Sequence, residues 1–287
     1  MISALLRAVF RNLPVYGLPT VLDIIAKQVW RSATIRRLRV GTLTLRLDLA
    51  NYVMRNIYFG VFERDLMRFI AKTLRPGDVF IDVGANIGFL TAYAYAHVGP
   101  TGAVHCFEPV PQYAEHIQRI AHEAGPGRII VNATAVGDRD GEVSIKICGP
   151  ENIGWNTIVP GFMNGDTCAS LVVPMTTLSG YLRARQLENV RMIKIDVEGA
   201  ETLVLMGLFD YLETGARPVI VTEVTPHASV KLGTDLPMIV ARMHKYGYRP
   251  QTFDRRGVRA IIRLPIHLIP IDPLTINDTT DIVWLPE

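Results

Sequence analysis

Short apolar runs that end in a polar or acidic residue alternate along this chain with longer stretches whose apolar positions recur at helical spacing. Val79-Phe80-Ile81-Asp82-Val83, Ala103-Val104-His105-Cys106-Phe107, Arg128 to Ala133, Met192-Ile193-Lys194-Ile195 and Pro218 to Thr222 have the length and β-propensity of buried strands. Phe62 to Leu74 carries an apolar stripe at helical spacing, which Pro76-Gly77 ends. This alternation predicts an α/β fold with a doubly wound, mostly parallel sheet and helices on both faces. Val40 to Leu49 and Gly141 to Ile147 alternate apolar and polar residues like half-exposed strands, and Val258 to Arg263 and Asp281 to Leu285 are candidates for closing strands. The tract Pro265 to Pro273 reads as an irregular excursion.

The first forty residues differ in character, holding seven Lys or Arg (Arg7, Arg11, Lys27, Arg31, Arg36, Arg37, Arg39) against the single acid Asp23. Ile2, Leu5, Leu6, Val9 and Phe10 follow helical spacing up to Pro14, and Val21, Leu22, Ile24, Ile25 and Val29 do so again after Pro19. Residues 1–40 are therefore expected to form a basic amphipathic helical extension, and 41–287 a single catalytic domain. A bilayer span needs about 20 consecutive apolar residues, and neither run reaches that length. No small-residue cleavage site follows the first segment, so neither a transmembrane helix nor a signal peptide is expected. Packing on the catalytic domain or on a second copy in a homodimer is the favoured reading, because apolar stripes at helical spacing more often build core. Peripheral contact with anionic lipid is the alternative.

Composition narrows the rest. Hydrophobic residues make up 49% and charged residues 20% of 287 positions, which supports a large core and leaves no room for extensive disorder. A net charge of +3 is too small to make nucleic acid the main partner. Cys106, Cys148 and Cys168 are odd in number and lack C-x-x-C spacing, so the sequence suggests neither a disulfide framework nor a zinc site. A cytoplasmic location follows, with membrane association only if the basic extension meets lipid.

The run Val79 to Val83 leads into Gly84-Ala85-Asn86-Ile87-Gly88, where two glycines allow a tight turn and close approach of a ligand to the backbone. In open α/β sheets ligands bind at the carboxyl ends of strands, beside the amino terminus of the next helix. The spacing Gly84-x-x-x-Gly88 departs from the Gly-x-Gly-x-x-Gly dinucleotide pattern, which disfavours a nicotinamide cofactor. A carboxylate at Asp82 would repel a pyrophosphate but suits a ligand bearing an ammonium group, such as the methionine end of S-adenosylmethionine (SAM). Glu108, 24 positions after Gly84 and followed by Pro109, stands where an acid accepts hydrogen bonds from ribose hydroxyls. Asn132, at the end of the third run, could reach an adenine edge.

A second dense signal is Lys194-Ile195-Asp196-Val197-Glu198-Gly199-Ala200-Glu201, where three acids fall within six residues at a strand end. Such a cluster must be held by a lysine, a metal, backbone amides or water. Glu198 and Glu201 fall in the first turn of the next helix, whose dipole favours acids and accounts for Glu201. Asp196 is the better chemical candidate, and Glu223 ends one further strand. The polar stretch Gly149 to Gly165, with Asn152, Asn156 and Asn164, is a candidate substrate loop because one so long is more often functional than idle.

Together these residues resemble the FkbM-type SAM-dependent methyltransferases of the class I fold. The resemblance rests on Gly60-Val61-Phe62-Glu63, Pro76 to Gly88, Phe107-Glu108-Pro109, Ala135 to Asp138 and Lys194 to Glu201, and it covers roughly Gly60 to Glu223. It implies seven strands with the last antiparallel, and methyl transfer from SAM to a hydroxyl on a sugar, glycolipid or secondary metabolite. Cofactor contacts are implied for Glu63, Asp82, Gly84, Ala85, Asn86, Gly88, Glu108, Pro109, Asn132, Ala133, Asp196 and Glu198. Asp196 is the first choice for general base, with Glu223 and His227 behind it. A divalent cation between Asp196 and Glu223 is disfavoured because two carboxylates without a third ligand do not define a hard-metal site. Two departures stand out: Thr177-Leu178-Ser179 where the family has Thr-Leu-Asp, and Thr225 where many members have His. The alternatives are a nucleotide-cofactor oxidoreductase and an inactive SAM-binding scaffold of the same fold, the latter favoured only by Ser179.

Overall fold

The computed structural model describes residues 7, 9–10, 13, 18–30, 34–147, 156–159, 169–187, 189–256 and 265–287. In chain order the strands are β1 (Ile35–Val40), β2 (Leu43–Asp48), β3 (Val79–Val83), β4 (Ala103–Phe107), β5 (Ile129–Asn132), β6 (Ala135–Gly137), β7 (Gly141–Ile147), β8 (Ala169–Thr177), β9 (Val190–Ile195), β10 (Val219–Val224), β11 (Tyr248–Phe253), β12 (Leu268–Pro270) and β13 (Thr280–Pro286). The central sheet has the order β12-β11-β13-β10-β9-β3-β4-β5. Neighbours from β10 through β5 are parallel, and β13 inserts antiparallel between β10 and β11. The expected seven strands are present with the last reversed, and β12 adds a short eighth at the edge.

Both sheet faces are covered, as the near-continuous apolar runs require. Phe80, Val104 and Met192 point to one core, shared with helices Phe89–Val98 and Pro111–Ala124. Ile81, Phe107 and Ile193 point to the other, beneath helices Leu178–Ala184, Glu201–Met206 and Leu236–Lys245. The two-residue side-chain period of a strand produces this partition. A second sheet, β6-β8-β7, sits beside the parallel one, with β6 parallel and β7 antiparallel to β8.

The expected half-exposed strand over 40–49 is the second arm of a hairpin. Gly41 turns between β1 and β2 at φ +59°, and a Cβ there would lie 2.9 Å from that of Ala96. The hairpin crosses the boundary anticipated at residue 40. Leu18, Leu22, Ala26 and Trp30 of the amino-terminal segment share a core with Phe80 and Val104, so this part of the extension packs on the catalytic domain. Among the described residues no helix is long and apolar enough to cross a membrane. The closing strand anticipated over Val258 to Arg263 lies outside the described residues; β11 occupies the corresponding sheet position.

Candidate active site

The chain lays down β3, moves outward through β4 and β5, and returns to place β9 and β10 on the other side of β3. The tips of β3 and β9 therefore frame a topological switch point, where α/β sheets bind ligands. A cavity of about 520 Å3 opens there, reached by Gly84, Asn86, Glu108, Asp196, Glu198 and Glu223. Gly84 has φ +78°, and a Cβ built on it would lie 1.8 Å from the carbonyl oxygen of Asp196. Only glycine lets these strand ends meet. Gly88 has the same φ but does not line the cavity; its Cβ would sit 2.9 Å from Ile117 Cγ1. Its absent side chain serves helix packing, which corrects the expectation of a ligand contact.

Three buried acids around the cavity have local donors. Asp82 accepts from Thr91 Oγ1 at 2.6 Å, and its Oδ1 lies 3.6 Å from Lys194 Nζ. It is fully buried beneath the loop and does not line the cavity, so the direct ammonium contact expected of it is not formed by this geometry. Glu108 accepts from the amides of Asn86 at 2.7 Å and Val110 at 2.9 Å. Burial raises it to about 7 against the lowering effect of those amides. Glu201 accepts from the amides of Val197 and Gly199 at 2.9 and 3.0 Å, closing the turn that carries Glu198. Burial pushes Glu201 up to about 7 as well.

Lys194 joins the two strand tips. Its ammonium donates to the Gly84 carbonyl at 2.9 Å and lies 3.3 Å from Asp196 Oδ2. Burial alone would depress this lysine, but Asp196 and Asp82 hold it above the usual lysine range.

Among the described residues a second set of acids lacks such donors. Burial, then Asp281 and Asp196, raise Glu63 to about 8, against the lowering influence of Arg255 and Lys194. Burial with Asp196 and Asp281 raises Glu223 to about 9, and burial with Asp196 and Glu223 raises Glu198 further. Asp281 lies directly across from Glu223 in the β10–β13 pairing, and Arg255 reaches it at 3.5 Å while also pairing with Asp65 at 3.0 Å. Like charges facing across strands repel, so the Glu223–Asp281 pairing adds to the burial that disfavours ionised carboxyls in this group. Among the described residues four non-glycines have positive φ, and three of them, Glu63, Asn86 and Glu198, line the cavity. Strained backbone concentrated at one cleft points to function there.

Other expected residues fall elsewhere. His227 is exposed on the short helix Pro226–Lys231 and does not line the cavity, which removes it as a candidate base. Asn132 turns its amide onto the Cys106 carbonyl at 3.0 Å and Ala133 is exposed; Thr134 and Ala135 form that wall instead. Ser179 is buried, and its hydroxyl accepts from the Tyr211 amide at 3.0 Å. Its departure from the family pattern therefore concerns helix packing, not the cavity. Of the candidate substrate loop, Asn156 and Ile158 line the cavity, and residues 149–155 and 160–165 lie outside the described residues. Among the described residues no group of three His, Cys, Asp or Glu side chains is arranged to hold a metal ion.

Several walls were missed from the sequence. Tyr52, Val53 and Ile57, on helix Tyr52–Phe59, close one side, and Val143, Ile145 and Met175 of the small sheet form another. Nothing local marks them, since their apolar character reads equally as core. Lys194 did carry a signal: a cation inside a buried apolar strand needs partners.

The site suits SAM on two observations. Gly84 lines the cavity beside Glu108, and the carboxyl groups of Glu63, Asp196, Glu198 and Glu223 line it as well, where a cationic ligand would favour their ionised forms. The family model described as the methyltransferase FkbM domain matches residues 82–250. The chain is 26% identical over 196 residues to the hexuronic acid methyltransferase AglP of Haloferax volcanii, an alignment spanning 63% of this chain and 77% of that protein. It is 32% identical over 170 residues to the 31-O-demethyl-FK506 methyltransferase FkbM of Streptomyces tacrolimicus, spanning 48% of this chain and 62% of that protein. Among solved structures, Aeropyrum pernix fibrillarin with bound SAM aligns over 77% of this chain and 74% of its own at 11% identity and a TM-score of 0.41.

Proposed function

The chain belongs to the FkbM methyltransferase family and is a SAM-dependent methyltransferase, and we propose that its acceptor is a hydroxyl of a sugar or secondary metabolite bound in the cavity over β3, β4, β9 and β10. The observation that carries this reading is the meeting, in one cavity, of a glycine-tipped strand end, a glutamate oriented by two backbone amides and a carboxylate braced by a buried lysine. The names of the two relatives, one a hexuronic acid methyltransferase and one a 31-O-demethyl-FK506 methyltransferase, support an oxygen acceptor.

SAM supplies a methyl group already activated on a cationic sulfur, which leaves the protein the tasks of alignment, water exclusion and proton removal. In this reading Gly84, Ala85 and Asn86 run against the amino-acid end of the cofactor. Glu108, with each oxygen oriented by one backbone amide, still has lone pairs for ribose hydroxyls. Pro109, Thr134 and Ala135 flank the base. Asp196, side chain 38% exposed and braced at 3.3 Å by Lys194, takes the proton from the acceptor hydroxyl. General-base help of this kind contributes roughly 100- to 10,000-fold in rate. Phe62, Phe89 and Leu90 make part of the wall apolar and exclude water from the line of attack. Glu63, Glu198 and Glu223 supply negative potential to the cationic donor, losing protons as it binds.

Calorimetry with S-adenosylhomocysteine and with NAD tests the cofactor assignment: heat with the first and none with the second is expected, and the reverse overturns it. Radiolabelled methyl transfer from SAM to a panel of glycosides and macrolide alcohols then tests the acceptor class. Transfer only to amine or carbon acceptors would overturn the oxygen reading.

A further inference from the structure

Among the described residues the amino-terminal surface holds two unpartnered features that the methyl-transfer reading does not use. Helix Leu18–Val29 buries Leu18, Leu22 and Ala26, yet its apolar sector is wider than the buried face: Val21 is 46%, Ile24 64% and Val29 50% exposed. Val9 and Ile35 are 48% and 47% exposed, and Ile35 shares the outer face of β1 with Arg37 and Arg39. Exposed apolar side chains gathered in one segment mark a contact surface, whereas single ones do not.

The hairpin that follows is two-sided. Leu38, Val40, Leu43, Leu45 and Leu47 are buried against the domain, and Arg37, Arg39 and Arg46 are exposed. Arg37 stands directly across from Arg46 in the β1–β2 register. Like charges in that position are destabilising, and among the described residues none of the three has an ion-pair partner. The positive potential reaches neighbouring groups: burial, then Arg119 and Arg46, hold the His116 imidazole below its ordinary value.

We propose that this amino-terminal surface docks on an anionic lipid bilayer, with Val21, Ile24 and Val29 entering the headgroup boundary and Arg37, Arg39 and Arg46 facing lipid phosphates. Charge selects this occupant. A second copy meeting through the same patch would bring the same arginines together. A nucleic-acid backbone would satisfy the arginines and leave the aliphatic side chains in water. An anionic interface satisfies both, with each arginine near the surface adding attraction that salt weakens. Helix Tyr52–Phe59 follows the hairpin immediately and carries Tyr52, Val53 and Ile57 into the cavity wall, so the docked surface is continuous in the chain with the methyl-transfer site.

Co-sedimentation of the full chain with phosphatidylglycerol-containing vesicles, against pure phosphatidylcholine vesicles, tests the proposal at low and high salt. Binding to the anionic vesicles alone, weakened by salt, is expected. The triple variant R37E/R39E/R46E should bind at least about tenfold more weakly, and Ile24→Ser several-fold more weakly. Both should retain wild-type S-adenosylhomocysteine binding by calorimetry, which separates this surface from the cofactor site and from loss of fold. No sedimentation with anionic vesicles, equal sedimentation with neutral ones, or undiminished binding of the triple variant would overturn it. A concentration-dependent dimer that the charge reversals disperse, without any lipid binding, would overturn it in favour of self-association.

Discussion

Two sets of acids lie at or just behind this cavity and differ in what surrounds them. On the loop side, Asp82, Glu108 and Glu201 are met by a threonine hydroxyl, a lysine or pairs of backbone amides. On the far side, Glu63, Glu198 and Glu223 face mainly one another, Asp196 and Asp281, and sit well above the usual carboxylate range. Burial is common to both sets. Donors within hydrogen-bond reach separate a carboxylate that fixes backbone from one whose ionised form burial and neighbouring acids disfavour more strongly.

The largest expected effect comes from joining the two sides wrongly. Gly84→Ala puts a methyl group 1.8 Å from the Asp196 carbonyl at a residue with φ +78°. It should destabilise the fold by roughly 2–4 kcal/mol and abolish S-adenosylhomocysteine binding. Thermal melting and calorimetry report both, and unchanged affinity would show that the loop is not the cradle. Next comes Asp196→Asn, which keeps the shape and removes the base. A kcat roughly 100- to 10,000-fold lower, with S-adenosylhomocysteine affinity changed only a few-fold, is expected; full activity would remove Asp196 from the chemistry.

Glu223→Gln sharpens the contrast, because stability and function should move in opposite directions. A carboxyl raised to about 9 in the fold binds a proton that the unfolded chain, near its ordinary 4.5, has already lost at neutral pH. The folded state therefore loses stability as pH rises from the unfolded value towards the folded one. The glutamine variant escapes that loss, so its Tm at pH 8 should exceed that of the wild type while its affinity for SAM falls. The smallest effect is a pH trend. As pH climbs through about 8, where Glu63 gives up its proton, the preference for cationic SAM over neutral-sulfur S-adenosylhomocysteine should grow a few-fold in calorimetry. A flat ratio from pH 6.5 to 9 would mean that the cluster does not sense the sulfonium.

The loop side was largely legible in the sequence because its logic is local. Gly84, Glu108 and Asp196 each close an apolar run, and strand ends in a parallel sheet gather at one edge. The failures have physical causes. Asp82 and Gly88 sit at positions of the right type, but side-chain direction turned the acid under the loop, and a helix crossing claimed the glycine's space. His227 missed the cavity because two residues of short helix carry it to the outer face. The far side was mostly invisible. Asp281 joins Glu223 only through an antiparallel pairing across 58 positions (281 minus 223), and Tyr52 and Ile57 enter from a helix outside the recognisable motifs. Non-local pairing and apolar walls leave no spacing to read.

The Asp196 amide donates to the Val83 carbonyl and Lys194 bonds Gly84 and Asp196, so the two strand tips that floor the cleft are tied to each other. Exchange of spent donor for fresh then falls to the other walls, lined by Tyr52 and Val53 from one helix and by Ile158 from another segment. A crosslink between those two walls would slow turnover by trapping product, without altering the chemical step itself.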